Sequence, residues 1–216
     1  MLGTSPFFNI KIQDSAIILQ LTSDDGTNRL TRTCVVALTS AVQQLALNPR
    51  PLVITGNEKF FSAGADLAEI AALSGPDAYS FSRMGQKLMH AIETFPAPVC
   101  AAIHGYCMGG GLDLALACHR RVASPHAIFG HRGAALGLIT GWGGTQRLPR
   151  LIGKAKALEL FVAAEKLHAA AALRIGLIDA METDPVSGAA HWLLIADPAA
   201  NQAPSASSEN QLPPQK

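Results

Sequence analysis

Near the start of the chain, FFNIKI (7–12) and AIILQLT (16–22) are two β-like, largely apolar runs, and QDS between them is a turn signal, which predicts two strands. After the loop SDDGTNR, the apolar spacing lengthens. TRTCVVALTSAVQQLAL (31–47) has the length and period of an amphipathic helix. PLVITG (51–56) is a short apolar strand, NEKFFSAG a loop and ADLAEIAAL (65–73) a short helix. PDAYSFSRMGQKLMHAIETF (76–95) is a longer helix with Pro76 near its start. APVCAAIHG (97–105) predicts a buried strand running into the glycines 109–111, LDLALAC (112–118) a helix, and RRVASPHAIFG (120–130) one or two strands. Strands alternating with helices predict an α/β fold with a mainly parallel sheet.

Beyond Gly137 the pattern changes. GWGGTQRLPRLIG (141–153) predicts a glycine-rich connection, followed by helices at KAKALELFVAAEK and HAAAALRIG, a short strand at LIDAM and a last helix at DPVSGAAHWLLIA. The segment 198–216 is poor in apolar residues and rich in Pro, Ser, Asn and Gln, which predicts disorder. The domain reading is therefore a core over 1–181, a residual C-terminal helix over 182–197 and a tail over 198–216.

Composition changes this picture little. The chain has 216 residues, enough for one domain with a buried core. Only 15% are charged, against about 25% in typical soluble domains, which suggests surface hidden in an oligomer or a compact alanine-rich monomer. A net charge of +1 with no basic run gives no reason to expect nucleic acid. No apolar segment reaches the roughly 18 residues of a membrane span, and the N-terminal residues do not read as a secretory signal. The four cysteines, without a C-x-x-C pair, read as reduced core residues of a cytoplasmic protein, and the histidines have no metal-ligand spacing.

The candidate chemistry lies in GYCMGGGLDLALACH (105–119). A dinucleotide fingerprint fails at Leu114, a P-loop around Gly153-Lys154 fails at Leu148 and Ala155, and no G-x-S-x-G elbow is present. Two readings of the glycines remain. They permit close strand–helix packing, or they turn a strand into a helix whose first N–H groups hold an oxyanion. FFSAGADLAEI, with Gly64 between strand and helix, supplies a second loop of the same kind and favours the oxyanion site.

Three segments, FSAGADL, PAPVCAAIHGYCMGGGLDLALACH and LGLITGWGGTQRLPRLIGKAKALEL, occur in the order and spacing of one family. Over roughly Phe7 to Met181 the chain resembles the enoyl-CoA hydratase/isomerase (crotonase) superfamily. The resemblance implies a β/α spiral core, the ClpP/crotonase fold, acting on acyl-CoA thioesters through an enolate. It implies oxyanion donors at Ala65 and Gly110, flanked by Gly64 and Gly109, and a CoA channel along Ala63, Asp66 and Leu67. Coenzyme A would arrive as part of the substrate, with no permanently bound cofactor and no metal.

Departures from the family matter as much. The first of its two catalytic glutamates corresponds to Asp113, one methylene shorter, and the second corresponds to Gly133. Asp113 also fits a plain role in settling the helix dipole. Loss of the second carboxylate counts against an ordinary hydratase and more heavily against an isomerase. Naphthoyl-CoA synthases share the glycine and a G-W-G run, but Thr140 stands where they carry aspartate. The resemblance thus implies an enoyl- or dienoyl-CoA hydro-lyase with Asp113 as remaining acid/base. The alternatives are a decarboxylase, an anion-assisted synthase or a non-catalytic CoA-ester-binding paralogue. A Clp-type serine peptidase lacks its context at Ser62 and Ser80. Near the expected pocket, His131 suits proton transfer or has no chemical role. Arg132 is a solvated cation or a carboxylate partner, Gly141 would contact a catalytic water, and Trp142 would wall the acyl pocket. The family's C-terminal helical cap is expected to be largely missing, with a homotrimer or hexamer as the assembly.

Overall fold

The structure, a computed structural model, describes residues 3–196 except residue 14. The first third of the chain forms β1 (Gly3–Ser5), β2 (Phe8–Gln13), β3 (Ala16–Leu21), β4 (Arg29–Leu30), α1 (Arg32–Leu45), β5 (Leu52–Thr55), β6 (Phe60–Ser62) and β7 (Gly64–Ala65). The middle forms α2 (Leu67–Ala71), α3 (Gly75–Glu93), β8 (Val99–Ile103), β9 (Tyr106–Met108), α4 (Gly110–Ala117), β10 (Arg120–Ala123) and β11 (Ile128–Gly130). A 3-10 turn at Ala134–Leu136 leads to α5 (Gly144–Ile152), α6 (Lys154–Ala163), β12 (Leu167–His168), α7 (Ala169–Arg174), β13 (Ala180–Met181) and α8 (Pro185–Ala196).

A seven-stranded sheet runs in the order β1-β2-β3-β5-β8-β10-β13. Its first two pairings are antiparallel and the remaining four parallel. This is the mainly parallel arrangement that the alternation of strands and helices predicts. Every residue of β8 is buried, as a central parallel strand covered on both faces requires. On one face the main core gathers Leu19, Leu38, Ile54, Leu88 and Ala101. On the other, Ala189 and Leu193 of α8 cover Val53, Cys100 and Val122.

Three elements differ from the sequence reading. NEKFFSAG, read as a loop, carries β6 and the start of β7. The strand at 97–105 does not run straight into the glycines. It ends at Ile103, turns at Gly105 (φ +54°), and the chain resumes as β9 in a second sheet ordered β12-β11-β9-β6. Gly105 is required there, because a Cβ would overlap the Lys59 carbonyl. The expected connection at 141–153 is in fact helix α5 from Gly144 onward. Its glycines hide a helical stretch, with Gly143 (φ +107°) as the N-terminal cap and Leu148 as the buried anchor. The tail predicted to be disordered lies outside the described residues.

All four cysteines are free and buried. Burial pushes the Cys34 and Cys100 thiols up to about 12, and Cys107 and Cys118 well above the usual range. Alkylation with iodoacetamide at neutral pH is therefore expected to label none of them in the folded protein and all of them after unfolding in guanidinium, read by intact mass.

Candidate active site

The site begins where two glycine turns meet. At the end of β6, the Ser62 hydroxyl donates to the Asn28 carbonyl (2.6 Å) and accepts from the Gly64 N–H (3.1 Å). Gly64 has φ +94°, and a Cβ there would lie 2.6 Å from the Met108 carbonyl oxygen and 3.0 Å from the Gly110 nitrogen. The turn before α4 mirrors it. Gly109 has φ +50°, and its N–H donates to the Gly130 carbonyl (2.9 Å), tying this turn to the end of β11.

The three glycines serve distinct purposes. Gly109 supplies the left-handed backbone. Gly111 lets α4 pack directly on β6, because a Cβ would sit 2.7 Å from that of Ser62. Gly110 leaves open the space between the Ala65 nitrogen and the Trp142 ring, which a Cβ would approach to 3.2 and 2.6 Å. As the first residue of α4, Gly110 has an N–H that finds no acceptor among the described residues. The close-packing reading thus holds at Gly111, while Gly110 leaves open space at the cleft wall.

Asp113 lies in the first turn of α4 and is only 1% exposed. Its Oδ2 accepts a short hydrogen bond from the Thr140 hydroxyl, which in turn accepts from the Trp142 N–H (3.4 Å). Its Oδ1 faces Nε2 of His131, which stands directly after β11, at 3.1 Å. That approach is too bent for a hydrogen bond, and neither atom has another partner. Gly144, at the N-terminus of α5, closes over the gap. A Cβ there would overlap Asp113 Oδ1 and come within 3.0 Å of His131 Nε2.

These groups border a cleft of about 550 Å³. Of the residues singled out in the sequence, Ala63, Ala65, Leu67, Gly109, Gly110 and Asp113 line it, as do His131, Arg132, Gly133, Thr140, Gly141 and Trp142. Gly64 and Asp66 do not. Gly64 is buried behind the wall, and the Asp66 carboxylate caps α2 by accepting from the N–H groups of Ala68 and Glu69 (2.9 and 3.0 Å). Asp113 is the one carboxylate among the described lining residues. Trp142 is buried, donates from Nε1 to the Phe81 carbonyl (3.2 Å), and fits only because Gly85 on α3 leaves room for its indole. The Gly141 carbonyl accepts from Gln86 Nε2 (2.8 Å).

At Gly133 a Cβ would lie 2.7 Å from the Leu138 carbonyl oxygen. The loop is drawn tight by hydrogen bonds from the N–H groups of Leu136 and Leu138 to the Gly133 carbonyl, both 2.8 Å. The backbone at this position excludes any side chain unless the loop moves.

Gly144 and Asn28 carry parts of this site that sequence reasoning did not assign. The left-handed Asn28 (φ 51°) is buried, and its Nδ2 donates to the Phe60 and Phe61 carbonyls (3.0 and 3.2 Å). The GWGG run was the available signal for Gly144; a lone Asn in a polar loop gave none.

No group of three or more His, Cys, Asp or Glu among the described residues could hold a metal ion, and no helix among them is long and apolar enough to cross a membrane.

Comparison with known proteins gives a consistent picture. The sequence profile of the Enoyl-CoA hydratase/isomerase family matches residues 11–209. A Bacillus subtilis (strain 168) protein carrying the name Probable enoyl-CoA hydratase is 45% identical over 70% of this chain and 60% of its own length. The crotonyl-CoA hydratase of Syntrophomonas wolfei is 38% identical over 77% of this chain and 65% of its own length. The chain thus spans less than two thirds of both relatives. Among solved structures, DspI of Pseudomonas aeruginosa superposes with a TM-score of 0.84 at 32% identity, covering 94% of this chain and 78% of DspI.

Proposed function

The chain belongs to the enoyl-CoA hydratase/isomerase family, and from that premise we propose that it is a hydro-lyase adding water across the double bond of an enoyl- or dienoyl-CoA thioester. The observation that carries this reading is that Ala65 and Gly110, whose backbones approach each other closely, line the same cleft as the buried Asp113. Backbone N–H groups at this wall would suit a thioester oxygen that becomes an oxyanion when the enolate forms. Asp113 is then the centre of the acid–base chemistry, as the remaining carboxylate of a family pair whose second position is Gly133. The apolar walls, with Leu73, Phe81 and Trp142 among them, suit an acyl chain. Coenzyme A enters as part of the substrate, with no resident cofactor.

Assembly as a homotrimer or hexamer is part of the proposal. Support for it comes from the exposed Leu151, Leu158 and Val162 on α5 and α6, an apolar face that a neighbouring subunit would cover. Four free thiols support a reducing, cytoplasmic setting.

The test is a panel of crotonyl-, dienoyl- and malonyl-type CoA thioesters given to the parent and to Asp113→Asn. The parent is expected to hydrate the enoyl or dienoyl ester. Asp113→Asn is expected to lose about 10²–10⁴-fold in kcat while binding the ester as tightly as the parent. Turnover of the malonyl ester instead would replace the hydratase by a decarboxylase. The carboxylate-free Gly133 loop favours a second reading, a CoA-ester-binding protein without turnover. Tight binding with no reaction across the panel would establish it.

A further inference from the structure

The group of this centre that meets the water is not settled by family position, and the geometry points away from the carboxylate. Asp113 is withdrawn, with Oδ2 held by Thr140 and Oδ1 sealed from solvent beneath Gly144. His131 also lines the cleft, and its Nε2 is sealed against Oδ1 at 3.1 Å. An ionised carboxylate only accepts, and an unprotonated Nε2 only accepts. Two buried acceptors this close, with no other partner, repel strongly at low dielectric. A proton on Nε2 removes that repulsion. That fixes the tautomer and leaves Nδ1, which has no partner among the described residues and is not sealed, as the free lone pair of a residue that lines the cleft.

Resting on the hydro-lyase reading, we infer that His131 is its catalytic acid–base residue and that Asp113 acts through it, a His–carboxylate pair in place of two carboxylates. Nδ1 takes a proton from water as the water oxygen bonds the β-carbon. The electrons of the double bond move to the thioester oxygen, held by the Ala65 and Gly110 N–H groups. The resulting imidazolium stands against the Asp113 carboxylate and returns the same proton to the α-carbon as the carbonyl re-forms. One water is added, and His131 ends neutral. The missing side chain at Gly133 is then no defect, because one base serves both proton transfers.

Among the described residues, Asp113 on α4 faces the ring and Arg132 lines the same cleft, while Cys107, whose thiol burial holds well above its usual range, also feels the charge of Asp113. Phe161 of α6 packs against the imidazole with centroids 5.2 Å apart and adds no charge.

His131→Gln tests this, because its amide can donate to Asp113 but cannot carry a proton at cleft pH. Steady-state hydration is measured for the parent, Asp113→Asn and His131→Gln across pH, with binding of the ester measured in parallel. The expected result is a kcat for His131→Gln lower by about 10²–10³-fold, KM within about threefold, and one ionisation lost from its pH–rate profile. A His131→Gln enzyme with parental kcat and pH profile beside a dead Asp113→Asn overturns the inference and leaves the hydro-lyase reading intact. A parent inactive on every thioester overturns both. If glutamine disturbs the fold, His131→Ala with added imidazole decides: recovery of at least about tenfold supports the assignment, and none in a folded variant overturns it.

Discussion

Gly144→Ala is expected to abolish measurable turnover and to lower the melting temperature by roughly 2–10 °C. The reason is local. The methyl group would overlap Oδ1 of a carboxylate that is 1% exposed and has no room to retreat, and it would also crowd Thr140 and His131. Overpacking of this kind costs about 1–3 kcal/mol. Relief comes only by pushing Asp113, His131 or the start of α5 aside. Any of these moves separates the carboxylate from the imidazole or breaks the Thr140 hydrogen bond, so the chemical loss exceeds the stability loss. Thermal unfolding and steady-state kinetics on the same preparation check it. A variant with parental kcat would mean that the Asp113–His131 contact has no part in catalysis.

Gly110→Ala is expected to be almost as severe by a different route, keeping the fold at an overpacking cost of about 1–3 kcal/mol and lowering kcat by about 10²–10³-fold, the usual effect of losing one oxyanion donor. Alanine is a better helix former than glycine at the start of α4. Its methyl, however, would stand 3.2 Å from the Ala65 nitrogen and 2.6 Å from the Trp142 ring, in the space assigned to the thioester oxygen. Circular dichroism and the dissociation constant for a saturated acyl-CoA separate the cases. Retained structure and binding within about tenfold, together with the loss in kcat, is the predicted combination.

The framework of this site was legible in the chain because glycine is the residue that turning and close approach demand. The residues at 64 and 109–111 announced two strand-to-helix turns, and the alternation of apolar strands with helices announced the sheet. What stayed hidden has two causes. Glycines around a helix start conceal the helix, so 141–153 reads as a connection although Gly143 caps α5 and Leu148 anchors it. Side-chain partnerships across distant segments leave no periodic trace. Nothing in the spacing of residues 113, 131 and 140 says that the threonine hydroxyl holds one carboxylate oxygen and that the imidazole faces the other. Asp113 was legible as a candidate by its position after the glycines. That its Oδ1 lies sealed against His131 Nε2 follows only from the packing of α4, α5 and the end of β11. The tight turn at Gly133 likewise follows from backbone contacts and not from residue type.

The central claim, that the two N–H groups at Ala65 and Gly110 stabilise a thioester enolate, is tested most directly without any complete reaction. Butyryl-CoA, a saturated ester with nothing to hydrate, is incubated in D2O with the parent or with Gly110→Ala, and deuterium at the α-carbon is followed by mass spectrometry. The account predicts steady incorporation with the parent and at least a hundredfold slower incorporation with the variant. A parent that binds butyryl-CoA yet incorporates no deuterium, or a Gly110→Ala variant that exchanges at the parental rate, would contradict it.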